Sequence, residues 1–171
     1  MSSASPERPR ILVAGVGNIF LGDDAFGCEV VRRMAGRPVP DGVEITDFGI
    51  RGVHLAYQLL DGYDLLVLVD AAPRGRAPGT VSLLEVELDK IEKTDGPLVD
   101  AHGMEPVSIL SMLASLGGNV KRVLVVVCEP QSTAEGIGLS AAVEAAVDPA
   151  VEIVQKVISG ADETLGEVSN R

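Results

Sequence analysis

The chain has 171 residues, a length typical of one domain, and 46% of them are hydrophobic, which excludes a wholly disordered chain. Its 14 Lys and Arg residues stand against 25 Asp and Glu residues, so the formal net charge is −11 at pH 7. Nucleic acids and anionic membrane surfaces attract clustered basic residues, and this acidic chain without a basic stripe is a poor partner for either.

The two ends of the chain, residues 1–9 and 160–171, lack periodic apolar positions, and we predict that they are flexible tails. The domain between them spans residues 10–159. Its first apolar run, residues 11–16, is too short for a signal sequence or a membrane span. We therefore expect a cytoplasmic protein.

The first half of this domain alternates strand patterns with helix patterns. In chain order we predict a strand at 11–16, a helix at 23–34, a strand at 43–46, a helix at 52–60 and a strand at 65–69. The first and last of these are runs of consecutive aliphatic residues, which are typical of strands buried on both faces. Asp23 is the predicted N-cap of the first helix.

The second half of the domain continues the alternation. In chain order we predict an edge strand at 80–87, a helix at 106–116, a strand at 123–127, a short helix at 140–147 and a last helix with Asp148 as N-cap and Pro149 in its first turn. Strands that alternate with helices of these lengths are typical of doubly wound α/β folds. We predict a single-domain three-layer sandwich, in which helices cover both faces of a mostly parallel twisted sheet of about five strands.

Both cysteines, Cys28 and Cys128, lie in apolar runs, which excludes a disulfide framework and a thiolate zinc site. We expect buried thiols in a reducing compartment, with no functional role.

Ligands of open α/β sheets bind beyond the carboxyl ends of the strands. Residues 15–24 follow the first predicted strand there and form a glycine-rich loop. A dinucleotide-binding loop is disfavoured because Phe20 stands where G-x-G-x-x-G requires its third glycine, although Asp47 lies where a ribose-binding acid could. The segment 47–51 is a candidate wall of the resulting cleft.

Three side chains could converge at this edge of the sheet. Asp24 lies in the predicted first turn of a helix, where the helix dipole favours a carboxylate. Asp70 directly follows a buried strand, where an unpaired charge is costly, so it either has a partner or caps the next turn. His102 lies in a loop among small residues and is free to offer a ring nitrogen. One imidazole and two carboxylates suit a divalent transition metal with open positions.

Three motifs stand in order along the chain. They are Gly15-Val16-Gly17-Asn18 with Gly22-Asp23-Asp24 and Gly27, then Val69-Asp70-Ala71, and then His102-Gly103 ahead of a predicted helix. Together they resemble the hydrogenase maturation endopeptidases, which are nickel-recognising proteases, and the resemblance covers nearly the whole folded chain.

The resemblance implies an endopeptidase that removes the C-terminal extension from a [NiFe]-hydrogenase large-subunit precursor after nickel insertion. It implies that Asp24, Asp70 and His102 contact the nickel, although several relatives carry Glu at the position of Asp24. It assigns no settled role to Asp23 and none to Cys128. The precursor is the expected partner, nucleic acid and membrane are not, and we expect a monomer.

The predicted ligands suggest how the metal is used. A peptidase with its own zinc normally shows a closed ligand set such as His-Glu-x-x-His, which this sequence lacks. We therefore expect nickel to arrive with the substrate, as a recognition element. Hydrolysis either uses Asp24 or Asp70 as general base on a water beside the metal, or is of the aspartic type with the ion serving for docking alone.

Other functions remain open at this point. A non-catalytic, nickel-dependent docking chaperone of the precursor would use the same three residues. A nucleotide-binding enzyme and a metallohydrolase with its own zinc are further alternatives.

Overall fold

The computed structural model describes residues 8–90 and 105–160, which form one five-stranded sheet with helices on both faces. The strands are β1 (Ile11–Val16), β2 (Val43–Gly49), β3 (Tyr63–Ala71), β4 (Val81–Glu85) and β5 (Val120–Cys128). The helices are α1 (Phe26–Met34), α2 (Gly52–Leu59), α3 (Pro106–Ser115) and α4 (Ala141–Ile158). The predicted three-layer α/β fold is confirmed.

The sheet has the order β2-β1-β3-β5-β4. All neighbouring strands are parallel except β4, which pairs antiparallel with β5 at one edge. The prediction of an edge strand at 80–87 is therefore confirmed in position, although the strand is shorter. Because β1, β3 and β2 are parallel, their carboxyl ends lie at the same edge of the sheet, where ligands of this architecture bind.

Two apolar layers hold the helices against the sheet, and β3 contributes to both. Leu65, Val67 and Val69 pack on one side with α1 and α4, whereas Leu66 and Leu68 pack on the other side with α2 and α3. This alternation explains the consecutive aliphatic run, since each face of a central parallel strand is covered. Among the described residues, no helix is long and apolar enough to cross a membrane.

The predicted break before Asp148 and Pro149 is wrong, because α4 is continuous from Ala141 to Ile158 with Pro149 inside it. Asp148 is not an N-cap but forms an ion pair with Arg33 of α1, at 3.1 Å. Pro149 is exposed, and its missing N–H costs about 3 kcal/mol in a helix interior. Burial of a continuous apolar face along α4 outweighs that cost, since each buried valine contributes about 1.5–3 kcal/mol. That face consists of Val143, Ala146, Val147, Ala150, Val151, Val154, Val157 and Ile158.

The first turn of α1 lies directly against the ends of β1 and β3. A Cβ atom added at Gly27 would lie 2.0 Å from the carbonyl oxygen of Val69 and 2.6 Å from that of Val16. Both contacts are with backbone, which cannot move aside as a side chain could. The absence of a side chain at Gly27 therefore lets the loop before α1 approach the carboxyl end of β3.

We expect Gly27→Ala to lower the free energy of unfolding by about 2–4 kcal/mol, because α1 must move away from the sheet. Urea denaturation measures this directly. Gly62→Ala is the control, since Gly62 has open space around it, although unlike Gly27 it has a positive φ, of 91°. In the control, the free energy of unfolding should decrease by only about 1–2 kcal/mol, which is the cost of a left-handed backbone conformation for alanine. Equal losses in the two variants would contradict the close packing at Gly27.

Candidate functional site

Asp24 is held in a short 3-10 turn, Gly22–Ala25, that connects the loop after β1 to α1. Its Oδ2 accepts a hydrogen bond of 2.8 Å from the backbone N–H of Asn18. This contact fixes the carboxylate against the loop and uses one of its two oxygens. Within the described part of the chain, the second oxygen has no hydrogen-bond donor, so it is available to a cation or a water molecule.

Asp70 lies at the carboxyl end of β3, where its Oδ1 accepts a hydrogen bond of 2.8 Å from the N–H of Ala71. The pKa of Asp70 is raised to about 8, chiefly by burial, with the negative charges of Asp24 and Glu105 adding to the effect and the Ala71 hydrogen bond opposing it. The carboxyl group of Asp70 is therefore largely protonated at neutral pH in the free protein.

The structure brings Asp24 and Asp70 to the same edge of the sheet, as the sequence predicted. Glu105, which immediately precedes α3, faces the same region, since its charge acts on Asp70. Glu105 was not predicted from the sequence, in which its only signal is its position directly before Pro106. Within residues 8–90 and 105–160, no three His, Cys, Asp or Glu side chains are placed to hold a metal ion together.

His102, the third predicted ligand, lies outside the described residues. Its contact with a metal stays a prediction. The same holds for most of the two predicted tails.

Asp23 differs from its predicted role, because its side chain does not cap the helix. It is 1% exposed, and its carboxylate accepts hydrogen bonds from the N–H groups of Gln131, Ser132 and Ser140 and from the Ser140 hydroxyl. Burial raises the pKa of Asp23, but these four hydrogen bonds together outweigh it and hold the pKa below its ordinary value. Asp23 therefore ties the segment after β5 to the loop after β1.

A pocket of about 320 Å³ opens beside this loop. It is lined by Gly17, Asn18, Ile19, Phe20, Cys28, Asp47, Phe48, Gly49, Ile50 and Arg51. Asp47 fixes the turn after β2, since its Oδ1 accepts the N–H of Gly49 at 2.9 Å. The predicted cleft segment, residues 47–51, thus forms one wall of a pocket whose other wall carries Asn18, the donor to Asp24.

Both cysteines are buried and free, as predicted. Burial, followed by the nearby carboxylate of Asp47, raises the pKa of Cys28 to about 12. Burial also raises the pKa of Cys128, to about 11, with the charges of Asp23 and Glu129 adding to the effect. A thiol with such a pKa is a poor nucleophile at neutral pH, so neither cysteine is suited to covalent catalysis.

Comparisons of the sequence and of the structure with known proteins point to the same family. The model of the hydrogenase maturation protease family HycI matches residues 28–157. The hydrogenase 2 maturation protease of Escherichia coli K12 is 36% identical over 147 residues, which cover 85% of this chain and 88% of that protein.

Solved structures agree with the sequence comparison. The hydrogenase maturating endopeptidase HybD from E. coli has a TM-score of 0.75 and 33% identity, over 89% of this chain and 93% of that one. A hydrogenase 2 maturation peptidase from a Thaumarchaeota archaeon has a TM-score of 0.69 and 32% identity, over 88% and 98% of the two chains.

Proposed function

The chain belongs to the hydrogenase maturation protease family, and we propose that it is the endopeptidase that removes the C-terminal extension from a [NiFe]-hydrogenase large-subunit precursor after nickel insertion. The observation that carries this proposal is the meeting of Asp24 and Asp70 at the carboxyl edge of the sheet. Two carboxyl groups whose charges act on each other are suited both to binding a cation and to activating water.

We propose that the substrate's nickel is the recognition element. Asp24 and Asp70 each keep one carboxylate oxygen free of hydrogen bonds from the described residues. Two such oxygens are hard ligands and hold nickel weakly on their own, so they suit an ion already bound by softer ligands of the substrate. His102 is the proposed third ligand. A bound cation also favours the ionised form of Asp70, which offsets the cost of its burial.

The two acids have different tasks in this proposal, since Asp70 holds the cation and Asp24 moves the proton. The Asp24 carboxylate takes a proton from a water molecule whose oxygen forms a bond to the scissile carbonyl carbon. Asp24 then passes this proton to the leaving nitrogen as the C–N bond breaks, while the ionised Asp70 holds the cation. Support for this assignment comes from the burial of Asp70, which raises its pKa in the free protein, so that its ionised form is favoured where a cation binds.

The direct test mixes the protein with nickel-loaded and nickel-free precursor and follows the mass of the large subunit. We expect the mass of the extension to be lost from the loaded precursor alone. Cleavage of both forms would contradict the proposal that nickel is the recognition element, but it would support the peptidase activity. Capture of the loaded precursor without any mass change would instead indicate the non-catalytic docking chaperone. Protein carrying Asp24→Asn is the control, since it keeps the fold but lacks the proposed base.

A further inference from the structure

An exposed apolar surface extends from the candidate site along α2. Eight large hydrophobic residues are exposed in the part of the chain that the structure describes, and six of them lie here. They are Ile19, Phe20, Ile50, Val53, Tyr57 and Leu60, with exposed fractions between 40% and 66%. We call these six residues the docking surface.

The spacing of these residues makes the surface continuous. Ile19, Phe20 and Ile50 line the pocket beside the loop of Asp24. Val53, Tyr57 and Leu60 then follow at intervals of four and three residues, which places them on one side of α2 and its C-terminal end. The opposite side of α2, with Leu55 and Leu59, is buried against the sheet.

The charge of the docking surface differs from that of the rest of the chain. Although the net charge is −11, residues 48–60 contain no Asp or Glu, and Arg51 is their only Lys or Arg. The Arg51 guanidinium donates to the backbone carbonyls of Phe48 and Asp47, and among the described residues it has no carboxylate partner. The docking surface therefore presents apolar side chains beside Arg51, a cation without a carboxylate partner in the described part of the chain.

We propose that the docking surface binds the folded body of the hydrogenase large-subunit precursor, through an apolar patch that carries a carboxylate opposite Arg51. This inference rests on the proposed function, because the bound protein is its substrate. Three residues of the surface line the same pocket as Asn18, the donor to Asp24, so a protein seated here delivers its chain end to the two acids. A second copy of this chain is disfavoured, since two chains of net charge −11 repel each other.

The test places a negative charge on the surface by Val53→Asp and, separately, by Tyr57→Asp. Val53 lies in the first turn of α2, where the helix dipole favours an acid, so the variant is expected to fold. Ala145→Asp is the matched control, because it adds the same charge to an exposed position of α4 on the other face of the sheet. Binding of nickel-loaded large subunit that already lacks its extension is measured by calorimetry with the site residues unchanged, and cleavage is measured with the nickel-loaded precursor.

We expect both surface variants to raise the dissociation constant and KM by roughly tenfold or more, since aromatic and apolar anchors dominate interfaces. The value of kcat should stay within about twofold, and the control should match the wild type. Unchanged binding and KM would overturn the docking surface. So would a wild-type dimer that Val53→Asp dissociates, since the surface would then join two copies.

Failure of the proposed function gives a different result. A wild-type chain that binds the precursor without cutting it, and whose binding is lost in Val53→Asp, contradicts the peptidase and supports the docking surface. A chain that neither binds nor cuts overturns both.

Discussion

Asp70→Asn is expected to stop cleavage of the precursor and at the same time to stabilise the free protein. Asparagine has the same shape and can still accept the hydrogen bond from the Ala71 N–H. It cannot supply the negative charge that we assign to Asp70, so kcat should decrease by roughly 100- to 10,000-fold. Mass spectrometry of the precursor under single-turnover conditions measures this loss.

The stabilisation follows from the burial of Asp70. Its pKa is about 8 in the folded protein, against an ordinary value of 3.8, so the unfolded chain releases this proton first as the pH rises. The contribution of Asp70 to stability is therefore greatest below about pH 4 and is lost progressively up to about pH 8. Asparagine has no such loss. In metal-free buffer at pH 8, the variant should be more stable than the wild type by up to about 5 kcal/mol.

The measurement is urea denaturation of both proteins at several pH values, with a chelator present. Their difference in free energy of unfolding should grow between pH 4 and pH 8. Asp41→Asn is the control, since the Asp41 side chain is 89% exposed and its replacement should change neither cleavage nor the pH profile. A constant difference would mean that Asp70 is well solvated. Retained cleavage would remove Asp70 from the proposed mechanism.

The fold was largely predictable from the sequence because the central strands are buried on both faces, which leaves a consecutive aliphatic signal. The ends of these strands were predicted too short where polar residues continue the pairing. In β5, Lys121 is a strand residue whose charge stays exposed and pairs with Asp64 at 2.9 Å. Pro149 led to the opposite error, because it predicted a boundary between two helices where a single helix continues. The local cost of the proline is outweighed by apolar contacts that form only in the complete fold.

The candidate site was predictable in part, for a similar reason. Topology brings the carboxyl ends of parallel strands together, so the sequence could place Asp24 and Asp70 at one edge. It could not predict the buried role of Asp23, because the partners of Asp23 lie more than 100 residues away, at separations of 108, 109 and 117. The sequence also did not predict that apolar side chains of α2 are exposed, since an apolar residue in a helix pattern is ordinarily assigned to the core.

The two neighbouring acids have different roles in our proposal, since Asp23 holds the fold together and Asp24 acts in the site. Asp23→Ala leaves three backbone N–H groups and a hydroxyl without their buried acceptor, which we expect to cost about 3–5 kcal/mol of unfolding free energy. Asp24→Ala removes a single hydrogen bond, from Asn18, and should cost about 1 kcal/mol. Cleavage should be lost in Asp24→Ala even where the protein is fully folded.

The pH dependence separates the two acids further. The folded-state pKa of Asp23 lies below its ordinary value, so its stabilising contribution is present at neutral pH and is lost as the pH falls through that folded-state value. Asp23→Ala should therefore be less stable than the wild type at pH 7, and the two should converge in acid. Thermal unfolding across this range measures the convergence. If Asp24→Ala instead unfolded and Asp23→Ala merely stopped cleavage, the roles of the two residues would be exchanged, and the cation would have to bind where the segment after β5 now contacts the loop after β1.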